Sequence, residues 1–243
     1  MSLSDILFQK VQGKWQECFL AEKRNVVKSL KLIEKNIANY TKFYPKKEEC
    51  FDFLTHMDLS DIRVIIWGHK PYSKFFGSTP RARGYAFGVD EDDRYTSSQK
   101  KLMEEMEENF DFCFDASEEN KTFKYLISQG VLLVNKIPLL SVENRDMYEN
   151  IWNRFMYILI TIINENVENC VHVTLGNESE KLTNIITSRD ILSFPDPTNY
   201  RFKGCKMFLK INILLAKRDS KQINWNPTIN CDKIKGTFVT KKE

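Results

Sequence analysis

The chain has 243 residues, 42% of them hydrophobic and 28% charged, and its 36 Lys and Arg against 33 Asp and Glu leave a formal charge of +3. This composition suits a globular chain with a buried core and excludes an intrinsically disordered one. So small a basic excess also excludes a protein that coats nucleic acid by bulk charge, so any nucleic-acid site must be local.

In chain order, the first sixty residues read as helices. These run over Leu3 to Val11, Trp15 to Ala38 and, after the Tyr44-Pro45 break, Cys50 to His56. Beyond that point four short β-rich runs appear: Val64 to Trp67, Val131 to Asn135, Val171 to Leu175 and Ile191 to Phe194. Helical stretches fall between them, about Ser97 to Phe110, Asn120 to Ser128, Tyr148 to Asn164 and Ser179 to Thr187. Another follows over Lys203 to Ala216. Continuous apolar strands joined by amphipathic helices predict a doubly wound, three-layer α/β/α architecture around a four-stranded parallel sheet. One domain spans residues 1–243 in this reading, with a helical part over about 1–60 and a weakly structured basic tail over about 227–243.

The apolar stretches fall well short of the roughly 20 residues that cross a bilayer, so no membrane partner is expected. The N-terminus lacks the order of a secretory signal, which predicts an intracellular protein without distinguishing nucleus from cytoplasm. Six cysteines, Cys18, Cys50, Cys113, Cys170, Cys205 and Cys231, include no C-x-x-C pair and read as reduced structural thiols. His56, His69 and His172 stand at no metal-ligand spacing, so neither a metal nor another cofactor is expected.

In parallel sheets, ligands bind beyond the carboxyl ends of the strands. Here those ends lead into Gly68-His69-Lys70-Pro71-Tyr72, Asn135, Gly176-Asn177 and Phe194-Pro195-Asp196-Pro197. These loops, together with Phe51-Asp52-Phe53-Leu54, Gly84-Tyr85-Ala86-Phe87, Gln129 to Asn135, Gly204 to Phe208 and Ile223-Asn224-Trp225, resemble the family 1 uracil-DNA glycosylases. The resemblance runs from about Trp15 to Trp225, and the order of its pieces carries more weight than any single piece. It implies a protein that extrudes uracil from DNA and hydrolyses the glycosidic bond without a cofactor.

Residue by residue, the resemblance implies a base pocket of Asn135, Phe87 and Tyr72. An amide at Asn135 can both donate to and accept from the edge of uracil; the alternative is a side chain that caps the strand end. Phe87 matches the family's stacking ring and Tyr72 the ring that excludes a 5-methyl group. Core packing is the alternative for each.

Where the family reads GQDPYH, this chain reads GHKPYS, so Lys70 replaces the catalytic Asp. The departing base leaves positive charge on the sugar, which a carboxylate stabilises and an ammonium opposes. At a separation near 4 Å and an effective dielectric of 20, lost attraction and added repulsion sum to roughly 8 kcal/mol, about a millionfold in rate. Where the family reads HPSPLS, this chain reads FPDPTN, so Phe194 replaces a hydrogen-bond donor and Thr198 a Leu wedge. An acidic run, Asp90 to Asp93, stands where the family has a Pro-rich loop. Arg81, Arg83, Arg201 and Lys203, with Thr198, remain candidates for contact with DNA.

The expectation is a catalytically degenerate uracil-DNA glycosylase homologue. It would bind single- or double-stranded DNA, uracil-containing DNA included, or a protein partner in replication or repair. One alternative is an enzyme of altered chemistry, in which Lys70 attacks the sugar as an amine and His69 serves as acid or base. Another is a pure interaction or decoy module with a vestigial pocket, docking through Phe75-Phe76.

Overall fold

The computed structural model describes residues 1–89, 94–112, 122–143 and 148–226. The acidic run at 90–93 and the basic tail at 227–243 lie outside the described residues, as do Cys113 and Cys231.

Three helices open the chain: α1 (Leu3–Lys10), α2 (Gly13–Ala21) and α3 (Lys23–Ile37). The sequence reads as one helix over Trp15 to Ala38, but Glu22 leaves the helical region (φ −91°, ψ 11°) and divides it. The turn lets Trp15 and Phe19 on one side, and Val26, Leu30, Ile33 and Ile37 on the other, all enter the core. The expected helix over Cys50 to His56 is instead one 3-10 turn, Asp52–Leu54, with another at Lys47–Glu49 just before it. They bury Phe51, Phe53 and Leu54, which no single α-helical stripe could do over so few residues.

The core sheet holds β1 (Val64–Gly68), β2 (Val131–Asn135), β3 (Val171–Leu175) and β4 (Ile191–Phe194), in the order β2-β1-β3-β4. Every pairing is parallel, with Gly68 opposite Asn135, Trp67 opposite Thr174 and Leu175 opposite Phe194. All five residues of β1, β2 and β3 are buried, so both faces of the sheet are covered, as continuous apolar runs require. In-register parallel strands bring their carboxyl ends to one edge, and all four loops of interest start there.

The covering helices include α4 (Ser97–Phe110), α5 (Asn153–Asn166) and α6 (Met207–Lys217). Helix α4 begins where the sequence predicts because Thr96 and Gln99 form a reciprocal capping box, with Gln99 N–H donating to the Thr96 hydroxyl at 3.1 Å. Helix α6 starts four residues later than expected. Gly204 (φ 75°) and Lys206 (φ 58°) are left-handed, and the buried Glu105 carboxylate accepts from both their N–H groups at 2.6 and 2.7 Å. Of the helical stretch expected over Asn120 to Ser128, residues 120 and 121 lie outside the described residues and Lys124–Ile127 forms a single turn; that expected over Ser179 to Thr187 is a single turn at Asn177–Glu180 followed by a 3-10 turn. The helix expected over Tyr148 to Asn164 divides at Trp152 into Tyr148–Ile151 and α5, burying that indole.

Candidate functional site

Gly68 closes β1, and its backbone is where the site begins. A Cβ there would stand 2.6 Å from Asn135 Oδ1 and 3.4 Å from the Phe87 ring, so only glycine lets the amide and the ring approach each other across this strand end. The strand's continuation is tied to its neighbour, because Lys136 N–H donates to the Gly68 carbonyl (2.9 Å) and Ile137 N–H to that of His69 (3.0 Å). On the other side, Ala86 N–H donates to the Leu133 carbonyl (3.2 Å), which seats the Tyr85–Phe87 turn over β2. Phe87 itself holds a left-handed backbone (φ 63°), costly for a residue with a Cβ.

A cavity of about 240 Å³ opens at this edge of the sheet, of a size that suits a single nucleobase. Asn135, Phe87, Tyr72, His69, Lys70 and Thr198 all line it. The structure thus brings together six side chains that lie as far apart as 69 and 198 in sequence. Asn135 is buried, Phe87 and Tyr72 are half-buried, and Lys70 and Thr198 are exposed at the rim.

The other sequence candidates sit elsewhere. Phe194 does not line the cavity; it packs against the core edge, with the Lys210 ammonium 5.2 Å from its ring centre. Arg81 serves Tyr72: its guanidinium carbon lies 5.1 Å from the ring centre and Nη1 donates to the phenol oxygen at 3.5 Å. Arg83 is held by Glu49 at 3.4 Å, away from the cavity lining. Arg201 donates to its neighbour's Tyr200 hydroxyl at 2.9 Å, and Lys203 is exposed. In the hairpin after Tyr72, Phe75 packs on Tyr44 at 4.6 Å whereas Phe76 is 78% exposed.

One acidic lining residue was not among the site candidates named from the sequence. Asp196 reaches the same cavity as Lys70, with Oδ1 accepting from the Thr198 N–H (2.8 Å) and hydroxyl (2.6 Å). Its Oδ2 makes no hydrogen bond among the described residues. In sequence, an Asp between two prolines reads as a turn former, which it also is. The only further hint was its place in the loop after β4.

Beneath the site, Trp67 Nε1–H donates to His172 Nδ1 at 3.2 Å across β1 and β3. Burial lowers the imidazole pKa to about 4, so it remains the neutral acceptor this bond requires. Among the described residues no group of three or more His, Cys, Asp or Glu could hold a metal, and no helix is long and apolar enough to cross a membrane. Cys18, Cys50, Cys170 and Cys205 are free thiols.

No protein-family model matches the sequence. A uracil-DNA glycosylase of Buchnera aphidicola subsp. Cinara cedri is 32% identical over 220 residues, covering 87% of this chain and 94% of the relative. Another from Mycoplasmopsis pulmonis is 32% identical over 192 residues, covering 75% and 82%. The crystal structure of mimivirus uracil-DNA glycosylase superposes with a TM-score of 0.81 at 18% identity, over 93% of this chain and 90% of that one. A sheet in the order β2-β1-β3-β4, a cavity at its carboxyl edge and relatives aligned along most of both chains lead to one assignment: the chain belongs to the uracil-DNA glycosylase family.

Proposed function

We propose that this protein binds DNA by admitting an extruded, uracil-like base into the cavity of Asn135, Phe87 and Tyr72, and that it has lost most of the family's hydrolysis. The observation that carries this reading is the Lys70 ammonium at the rim of that cavity. Glycosidic cleavage leaves positive charge on the sugar, and a cation within about 4 Å raises its energy by about 4 kcal/mol at an effective dielectric of 20. Recognition is less affected. Stacking on Phe87 and pairing with the Asn135 amide need no anion. Such a protein serves replication or repair as a DNA-binding or protein-binding module.

A second reading draws on Asp196. Its unbonded Oδ2 in the same cavity would allow slow glycosylase activity, with this carboxylate supplying the negative charge that position 70 lacks. Excision of uracil from a single-stranded oligonucleotide separates the two. The degenerate reading expects no measurable turnover by the parent protein and turnover on Lys70→Asp. Parent turnover abolished by Asp196→Asn would replace it with the second reading.

A further inference from the structure

A second cleft, of about 850 Å³, adjoins the base cavity and shares His69 with it. It lies along the same carboxyl edge of the sheet: Lys136 follows β2, Glu178 follows β3, and Arg154 and Tyr157 project from α5. Three cations, Lys136, Arg154 and Lys181, face one carboxylate, Glu178, which leaves two positive charges in excess on its walls.

The arrangement of those charges is uneven. The Lys136 side chain is only 6% exposed, and its ammonium lies 3.2 Å from Glu178 Oε2. Lys181 reaches the same carboxylate, 2.6 Å from Oε1. The Lys181 hydrogen bond, more than that of Lys136, holds the Glu178 pKa down to about 2 against the opposing effect of burial, so the acid stays ionised. One carboxylate is thus shared by two ammonium groups. Arg154 is exposed and makes no ion pair or hydrogen bond among the described residues. Ion pairing with Glu178 accounts for Lys136 and Lys181; it does not account for Arg154, the exposed cation on the same wall.

The cleft also carries apolar surface. Met156, Leu182 and Ile185 line it, and Tyr157 is 57% exposed. Cations beside an exposed aromatic face match a ligand with a phosphate and a flat base.

We propose that this cleft is a second nucleotide subsite, in which Arg154 and Lys181 meet a phosphate and Tyr157 stacks on a base. Contiguity with the base cavity through His69 makes a neighbouring nucleotide of one strand the favoured source. That choice rests on the function proposed above. A free mononucleotide presents the same chemistry.

The test uses the full chain, a thymine-only oligonucleotide and thymidine monophosphate, neither of which contains uracil. Arg154→Ser with Lys181→Ser is expected to weaken oligonucleotide binding about tenfold at low salt. It should also flatten the dependence of log affinity on log salt by about 0.7, the loss of one phosphate contact to a single strand. Tyr157→Ala is expected to weaken binding about tenfold with the salt slope unchanged. All three side chains are exposed, so thermal melts should match the parent, whereas buried Lys136 is left intact. If thymidine monophosphate binding falls in parallel, the site takes free nucleotides; if only the oligonucleotide is affected, it takes a strand. Unchanged affinity of both variants for both probes overturns the proposal. Asn135→Ala serves as the control: it alters preference for uracil over thymine only if the base cavity has its proposed role, so either idea can fail without the other.

Discussion

The two sides of the cavity differ in how firmly the fold holds them. On the sheet side, Asn135, Phe87 and Gly68 interlock, so that one added methyl group at position 68 would collide with the amide. On the loop side, Thr198 and Asp196 are joined by short local bonds, and Lys70 and Thr198 are exposed. In the proposed function, recognition falls to the sheet side and charge chemistry to the loop side. Substitutions on the loop side disturb little packing, so a chain can change its chemistry there while its base pocket keeps its shape.

The largest expected effect attacks the loop side. Lys70→Asp replaces repulsion by attraction, and with solvation halving the idealised gain the change is about 4 kcal/mol, or a thousandfold in excision rate. Single-turnover assays on uracil-containing single strands check it; no gain would mean that charge at position 70 is not what limits hydrolysis.

Acid comes next, and acts from beneath the sheet side. His172 has a folded-state pKa near 4, below the ordinary 6.5, so the unfolded chain binds the proton first as pH falls. Stability is complete above about pH 6.5 and declines by about 3 kcal/mol as pH drops to about 4. Urea midpoints across that window should fall more steeply for the parent than for His172→Gln. Parallel curves would remove this histidine from the account.

Gly68→Ala tests the interlock directly. Forcing the amide aside should cost about 1–3 kcal/mol of stability and abolish preference for uracil over thymine, read by denaturant melts and competition binding. A variant that retains the preference would show that Asn135 recognises the base from another pose. Smallest of all is Arg83→Ala. Its guanidinium is occupied by Glu49, so DNA affinity should hold steady and stability fall by about 0.5 kcal/mol, as for surface ion pairs generally.

Much of this was legible in the sequence, for identifiable reasons. The four strands are continuous apolar runs because both sheet faces are covered, and three of them begin and end where the runs do; β1 adds only Gly68. Asn135, Phe87, Tyr72 and Lys70 were legible through the order of short motifs, which no periodicity supplies. Contacts between distant segments were not. Glu49 reaching Arg83, and Glu105 ordering the turn before α6, depend on tertiary approach that local pattern does not encode. Asp196 was hidden by having two roles, since its turn-forming part alone accounts for its place between prolines. The Phe194 substitution was visible, but its ring's departure from the cavity was not, because an apolar side chain follows the core and not the motif.

The left-handed backbone at Phe87 sets folding and binding against each other at one residue. A glycine there would relieve the main chain and remove the ring in the same step. Ease of the main chain and a planar face at the mouth of the cavity therefore exclude one another at this position.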